Sequence, residues 1–379
     1  MKLVVDENIV QGKEAFNSFG EVIFLGGRKI TNEVLSDVDV LIVRSITNVN
    51  EELLKNTKVK FVGTATIGTD HIDLGYLKEN DISFSSAAVC NSYSVAEYVL
   101  SAITYFANKD NFVFSDKSIG IIGYGNIGTK LAKIATVLGM KVVINDPPKE
   151  RVATNNIFSS FEEAIKCDII TFHVPLNFDG IDKTVHMLNA TNLNLIKENA
   201  ILINSSRGPV VSNEDLEEKL KQNKNFSVVL DVWEQEPNFN LELFNLVDIG
   251  TPHIAGYSYE GKVNGTQMIY EALSDYLGTQ KIWTPKLATV EESEIEISST
   301  LSIEAIIKKI LDKSYNIIED DELLRKSVLL SEKEKEDYFD SLRKNYKTLR
   351  ELNNFQALFN NADASIVEIL KTLRLKINS

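Results

Sequence analysis

The chain is poor in histidine and cysteine: its 379 residues carry four of the first and two of the second. Cys90 and Cys167 stand far apart, which excludes a disulfide framework and a cysteine-based metal spacing and fits a reducing compartment. Positive charge is also in deficit. Forty Lys and Arg face 54 Asp and Glu, a net charge of −14, which argues against broad binding to nucleic acid or to an anionic membrane. An anionic small molecule stays open, because a local arginine pocket overrides the global field. No apolar run is long enough to cross a bilayer. The opening MKLVVDENIV has no hydrophobic signal segment and reaches Asp6 and Glu7 at once, so a cytoplasmic location is expected. No cluster has metal-ligand spacing, so no metal is expected.

What remains is ordinary globular usage, 44% hydrophobic and 25% charged, in a length that suits two or three domains. In the first ninety residues KLVV, EVIFL, DVLIVRS, KFVGTA and DISFSS read as strands, and NEVLSDV and NEELLKNT as helices between them. That is the rhythm of parallel βαβ units. NSYSVAEYVLSAITYFAN then sets Val95, Val99, Ala102, Ile103 and Phe106 at helical spacing. A second series runs from KSIGIIGYGNIGTKLAKIATVLG through MKVVINDPP, CDIITFHVP, NAILINSSRG and NFSVVLDVW to LVDIGTPH, six strand candidates that suggest a complete doubly wound domain. The helical TQMIYEALSDYLG after Gly256 has no strand left to serve there, so the chain is expected to cross back to the first lobe.

From about residue 286 the texture turns to Lys and Glu with few glycines. Three apolar stripes stand out: Ile303, Ile306, Ile307 and Ile310; Phe339, Leu342, Tyr346 and Leu349; Ile366, Ile369, Leu370 and Leu373. So short a segment has little core of its own, and docking to another surface is expected. The expectation is an α/β protein of two Rossmann-like doubly wound lobes with a small C-terminal α+β domain. A discontinuous substrate lobe takes 1–94 and 256–285, a nucleotide-binding lobe 95–255, and the C-terminal domain 286–379.

GIIGYGNIG supplies Gly123, Gly125 and Gly128 between an apolar strand and a helical pattern. The first glycine permits a tight turn, the second lets a pyrophosphate approach the backbone, and the third lets helix and strand pack closely. About eighteen residues beyond Gly128, Asp146 ends the next strand, near the spacing of a ribose-binding acid. A carboxylate there takes both ribose hydroxyls and repels a 2′-phosphate, which favours NAD over NADP. Two alternatives stay open: Asp146 starting the DPP turn, and Lys149 and Arg151 admitting NADP.

Three strand ends in the same lobe carry unusual polar residues: Arg207 in INSSRGPVV, Asp231 and Glu236 in LDVWEQEP, and His253 in IGTPHIAG. Ligands of open α/β sheets sit outside the carboxyl ends of the strands, so all can meet at one cleft. Each has a plainer alternative: a surface cation, a solvated loop acid, a histidine filling a hydrogen-bonding niche. Their joint placement argues for chemistry. Oxidising a secondary alcohol needs a base for the hydroxyl proton, and an imidazole suits it. Glu236 is the candidate for fixing the ring, and Arg207 for binding an α-carboxylate bidentately. Together they point to a 2-hydroxy acid. Cap or structural roles are expected for His71, His173 and His186.

The combination of GYGNIG, NSSRGPVV, DVWEQEP and TPHIAGYS resembles the D-isomer-specific 2-hydroxyacid dehydrogenase family over most of the first 285 residues. The resemblance implies that Arg207, Glu236 and His253 are catalytic, and that the substrate lobe is split around the cofactor lobe. KLVVDENI, VRSITNVN, GTATIGTDHID, AAVCNSYSVAEYV, HIAGYSYEGKVNGT and, in the tail, YNIIEDDELLRK and FDSLRKNYKTLRE resemble family members that oxidise a phosphorylated four-carbon hydroxy acid. This implies substrate contacts at Ser45, Thr66 and Tyr257, and cofactor contacts near Asn126, Ile127, Asp146, Val174, Ser205, Ser206, Asp231 and Gly256. It also makes the last segment a homodimerisation domain. Val174 stands where a threonine is expected, so a backbone contact survives there and a hydroxyl contact does not. Arg44, Ser45 and Tyr257 are the expected core of a phosphate site. A tail cation among Arg343, Lys344 and Arg350 either completes it or stays in solvent. Two other functions remain open: oxidation of a three-carbon hydroxy acid phosphate, and an NAD-sensing corepressor on the same fold.

Overall fold

The computed structural model describes residues 1–377 apart from 224, 281, 299 and 360–362. It divides into two compact units, Met1–Asn91 with Ser258–Ala288, and Ser92–Tyr257 with Thr289–Ser379.

The first unit is built on five parallel strands: β1 (Lys2–Asp6), β2 (Glu21–Leu25), β3 (Val40–Val43), β4 (Phe61–Thr64) and β5 (Ser83–Ser86). They lie in the order β2-β1-β3-β4-β5. β3 and β4 are buried at every residue, as central strands covered on both faces must be. The helix Tyr259–Tyr276 belongs to this unit and sets Ile269 against Gly63 of β4, so closely that a Cβ there would lie 2.6 Å from the isoleucine. NEVLSDV, expected to be helical, forms consecutive turns instead. Leu35, Ser36 and Val38 bond three residues back, to Asn32, Glu33 and Leu35, and the Asn32 amide donates to the Leu53 and Lys55 carbonyls at 3.0 and 2.9 Å. Asn, Ser and Asp bond the backbone in non-helical ways, and Leu35 and Val38 are buried in the core from this turn conformation.

The second unit has six parallel strands: β6 (Ser118–Ile122), β7 (Lys141–Asn145), β8 (Ile169–Phe172), β9 (Ile201–Asn204), β10 (Ser227–Leu230) and β11 (Ile249–Gly250). The order β11-β10-β9-β8-β6-β7 reverses at β6, which has β7 on one side and β8 on the other. The carboxyl ends of β6 and β8 therefore flank a topological switch point, the place where such sheets bind ligands.

The C-terminal segment joins the core of this unit. Ile306, Ile307 and Ile310, on the helix Ile303–Ser314, share one apolar core with Val99, Ile103 and Phe106 of the helix Ser92–Asp110. Ile366, Ile369 and Leu370 join the same core from the helix Ala364–Thr372. Short parallel strands β12 (Glu294–Glu296), β13 (Gln356–Leu358) and β14 (Lys376–Ile377) complete the segment. The expected second stripe is only partly helical. Phe339 and Leu342 lie on the helix Glu332–Lys344, which closes at Asn345, so Tyr346 and Leu349 fall outside it.

Candidate active site

At the end of β6, Gly123 takes φ 95°, and a Cβ there would lie 2.5 Å from the His173 carbonyl oxygen at the end of β8. Gly128 packs against the Gly123 carbonyl, leaving 2.1 Å for a Cβ. Gly125, between them, meets nothing within 4 Å. It opens the helix Asn126–Val137, whose N-terminus no side chain caps. The turn is thus closed where glycine serves packing and open where a phosphate needs backbone N–H groups. Ile127 is half-buried in that first turn and Val174 sits beside Gly123. Ser205, past β9, has a buried hydroxyl with no hydrogen-bond partner among the described residues. This set fits a dinucleotide.

Asp146 realises the turn role weighed above, and more. One carboxylate oxygen caps its own short helix through Lys149 N–H at 3.0 Å, and the other accepts from Tyr124 N–H of the glycine-rich turn at 2.7 Å. Lys149 reaches the Tyr124 carbonyl, and Arg151 pairs with Asp182.

His253 and Glu236 meet: Nδ1 lies 2.7 Å from Oε2. The other carboxylate oxygen, Oε1, accepts the Trp233 N–H at 2.8 Å. Burial pushes the Glu236 carboxyl up, but the charge and hydrogen bond of His253, then Arg343 and the Trp233 N–H, outweigh it and hold it below its ordinary value. His253 itself takes the left-handed backbone, φ 56°. The residues around it supply the restraint. Its N–H donates to the Asp231 carbonyl at 2.7 Å. The buried Asp231 carboxylate accepts from Thr251 Oγ1, Ile254 N–H and Ala255 N–H at 2.6, 2.8 and 3.0 Å.

Sequence reasoning passed over the clamp on this loop. Ser94 and Tyr98, one turn apart on the helix Ser92–Asp110, bond the Ala255 carbonyl at 2.8 Å and Thr251 Oγ1 at 2.7 Å. Trp233 Nε1 donates to the Thr251 carbonyl at 3.0 Å. A serine and tyrosine four apart in an apolar helix were the available signal.

Arg207 follows a turn that the buried Asn204 builds, donating to the Arg207 carbonyl at 2.9 Å and accepting from Ser206 N–H and Oγ at 3.1 and 2.8 Å. Gly208 lies against the backbone of Trp233 and Glu234, with 2.0 Å left for a Cβ. The segments bearing Arg207 and Glu236 are therefore in backbone contact. Half-buried Gly256 and Tyr257 close the histidine loop. The tyrosine hydroxyl accepts from Arg343 Nε at 3.2 Å.

In the first unit, Arg44 and Ser45 follow β3, and Arg44 donates to the Asn8 carbonyl at 3.3 Å. Thr66 bonds Thr64 at 2.7 Å and the Gly68 carbonyl at 3.1 Å. A residue the sequence reading did not weigh, Lys262, has its amine pushed down to about 8 by burial and then by the charge of Arg44. Two neighbouring cations of this kind favour an anion. The remaining histidines have polar partners: His71 on Thr64 at 3.1 Å, His173 on Thr171 at 2.9 Å, and His186 on Glu234 at 3.2 Å. Burial pushes the His173 ring down to about 3.

Residues 105–255 match the model of the D-isomer specific 2-hydroxyacid dehydrogenase NAD-binding domain, and 287–373 match a domain of unknown function, DUF3410. The chain is 43% identical over 367 residues to an erythronate-4-phosphate dehydrogenase of Proteus mirabilis, covering 95% of this chain and 96% of that one. Among solved structures, NAD-bound 3-phosphoglycerate dehydrogenase of Entamoeba histolytica superposes with a TM-score of 0.63 at 25% identity, over 76% of this chain and 99% of that one. A D-lactate dehydrogenase of Aquifex aeolicus, complexed with NAD and lactic acid, gives 0.60 at 25% identity, over 73% and 96%.

Proposed function

Since the chain belongs to the erythronate-4-phosphate dehydrogenases of the D-isomer specific 2-hydroxyacid dehydrogenase family, and is an NAD-dependent dehydrogenase, we propose 4-phospho-D-erythronate as its substrate. The product is 2-oxo-3-hydroxy-4-phosphobutanoate, in the route to pyridoxal 5′-phosphate (vitamin B6). The observation that carries the reading is the 2.7 Å contact of His253 with Glu236, on a loop clamped at Asp231, Thr251 and Ala255.

Gly123, Gly125, Asn126, Ile127 and Gly128 hold the pyrophosphate, Asp146 the ribose, and Val174, Ser205, Ser206, Asp231 and Gly256 the remainder of the cofactor. Bound NAD supplies the acceptor for the hydride that leaves the alcohol carbon. His253 takes the hydroxyl proton at Nε2, because Nδ1 faces Glu236 and keeps the ring's own proton there. Glu236, already ionised, then pairs with the imidazolium. Arg207 binds the α-carboxylate and polarises the neighbouring oxygen. Ser45, Thr66 and Tyr257 contact the substrate, and Arg44 its phosphate.

The same reading carries a cytoplasmic homodimer joined through residues 286–379. Its support is the family likeness. Light scattering tests the assembly. NADH formation from 4-phospho-D-erythronate, set against 3-phospho-D-glycerate, tests the substrate. Faster turnover of the three-carbon acid refutes the assignment, and binding of NAD without turnover of either favours a sensor.

A further inference from the structure

We propose that the C-terminal segment supplies a substrate-selecting residue to the active site of its own chain: Arg343, whose guanidinium binds the terminal phosphate of the substrate. The proposal rests on the phosphorylated-substrate reading above. It also gives the domain of unknown function at 287–373 a task.

The placement follows from one helix. Ser331 starts Glu332–Lys344 with a capping box, its N–H and Oγ meeting Glu334 Oε2 at 3.0 and 2.6 Å. Lys335, Phe339 and Arg343 then recur every four residues and so share a face. Each finds a partner on the segments that carry the catalytic pair. Lys335 Nζ donates to the Phe239 carbonyl at 3.1 Å. The Phe339 ring packs on the Phe239 ring at 5.6 Å. Arg343 Nε donates to the Tyr257 hydroxyl at 3.2 Å, with the guanidinium 5.7 Å from that ring. Phe239 stands three residues past Glu236, and Tyr257 four past His253. The helix thus delivers a cation whose charge Glu236 feels.

A merely bracing arginine would be paired. Among the described residues Arg343 forms no ion pair, and its one hydrogen bond goes to a neutral phenol through Nε. Nη1 and Nη2 are left for a ligand, and two parallel N–H groups suit a phosphate better than any single donor. Arg207 serves the carboxylate at the other end of the substrate. Within this unit Arg207 then serves the carboxylate, and Arg343 adds to the phosphate ligand assigned to Arg44 above.

The test compares kcat/KM for 4-phospho-D-erythronate and D-erythronate in Arg343→Met, which keeps the stem on Phe339, and Arg343→Lys. The ratio of phosphorylated to unphosphorylated acid is expected to fall about ten- to a hundredfold in the Met variant, through KM, with partial recovery in the Lys variant. An equal loss on both acids overturns the proposal. So does a loss in kcat with a displaced acid limb of the pH–rate profile, because Arg343 then only braces Glu236 and Tyr257. Should the Met variant fail to fold by thermal melting, Arg343→Gln is read in the same way. If the unmodified enzyme turns over neither acid, the substrate reading fails alone. The ratio for 3-phospho-D-glycerate over D-glycerate then decides, and an unchanged ratio in the Met variant overturns Arg343's role.

Discussion

Glu236→Gln removes charge and one acceptor while keeping shape. In the native site the two carboxylate oxygens have separate duties, Oε1 to Trp233 N–H at 2.8 Å and Oε2 to His253 Nδ1 at 2.7 Å. An amide has one carbonyl. If that stays on Trp233, the NH2 faces Nδ1, and the ring must move its proton to Nε2, the nitrogen that has to accept one. A charge-assisted hydrogen bond contributes about 1.5–3 kcal/mol. Its loss alone lowers kcat/KM about ten- to a hundredfold, at about 1.4 kcal/mol per factor of ten. Returning the proton to Nδ1, which frees Nε2 but sets two donors against each other, adds about 1–3 kcal/mol, for a total of about 10²- to 10⁴-fold. The assay is kcat/KM against pH for Glu236→Gln, His253→Ala and the double variant, with NAD affinity measured by fluorescence. NAD affinity should change little. The acid limb for oxidation should move to lower pH, because the protonated ring has lost its carboxylate. The double variant should be no worse than His253→Ala, since the glutamate acts only through the ring. A Glu236→Gln rate within about threefold of the native one, or losses that multiply in the double variant, would refute the pairing as the basis of proton removal.

Four further outcomes are expected. Tyr98→Phe loses the 2.7 Å contact with Thr251, whose own bond to Asp231 remains, and should cost about 0.5–1.5 kcal/mol in a urea titration with a several-fold drop in kcat. Lys262, with its amine pushed down to about 8, is charged below that pH and neutral above it, so affinity for the phosphorylated acid should be full below about 8 and decline above; Lys262→Met should abolish that decline. Asp146→Ala should narrow the preference for NAD over NADP in steady-state kinetics, and equal native use of both cofactors would remove the ribose assignment. Truncation before residue 286 strips Ile306, Ile307 and Ile310 from the core they share with Val99 and Phe106, so circular dichroism should report an unfolded or much destabilised chain rather than a clean monomer.

Much of the site was legible in the chain because the signals are local. A strand, three spaced glycines and a helix follow one another within residues 118–137, and their geometry needs no distant partner. Glu236 and His253, which meet at 2.7 Å, were legible as strand-end polar residues, since parallel strands put all their carboxyl ends on one edge. What tertiary structure alone decided is what faces what. The clamp of Ser94 and Tyr98 on the histidine loop joins residues about 150 positions apart, and no spacing encodes it. NEVLSDV was read as a helix from its composition, and its side-chain contacts across the unit made it turns. Lys262 looked like one surface lysine among many until burial beside Arg44 marked it. The C-terminal stripes announced apolar faces but not their destination. Their partners are residues of the helices Ser92–Asp110 and Asn126–Val137 and the rings around Phe239, and the pairing of distant apolar surfaces is settled only when the whole core closes.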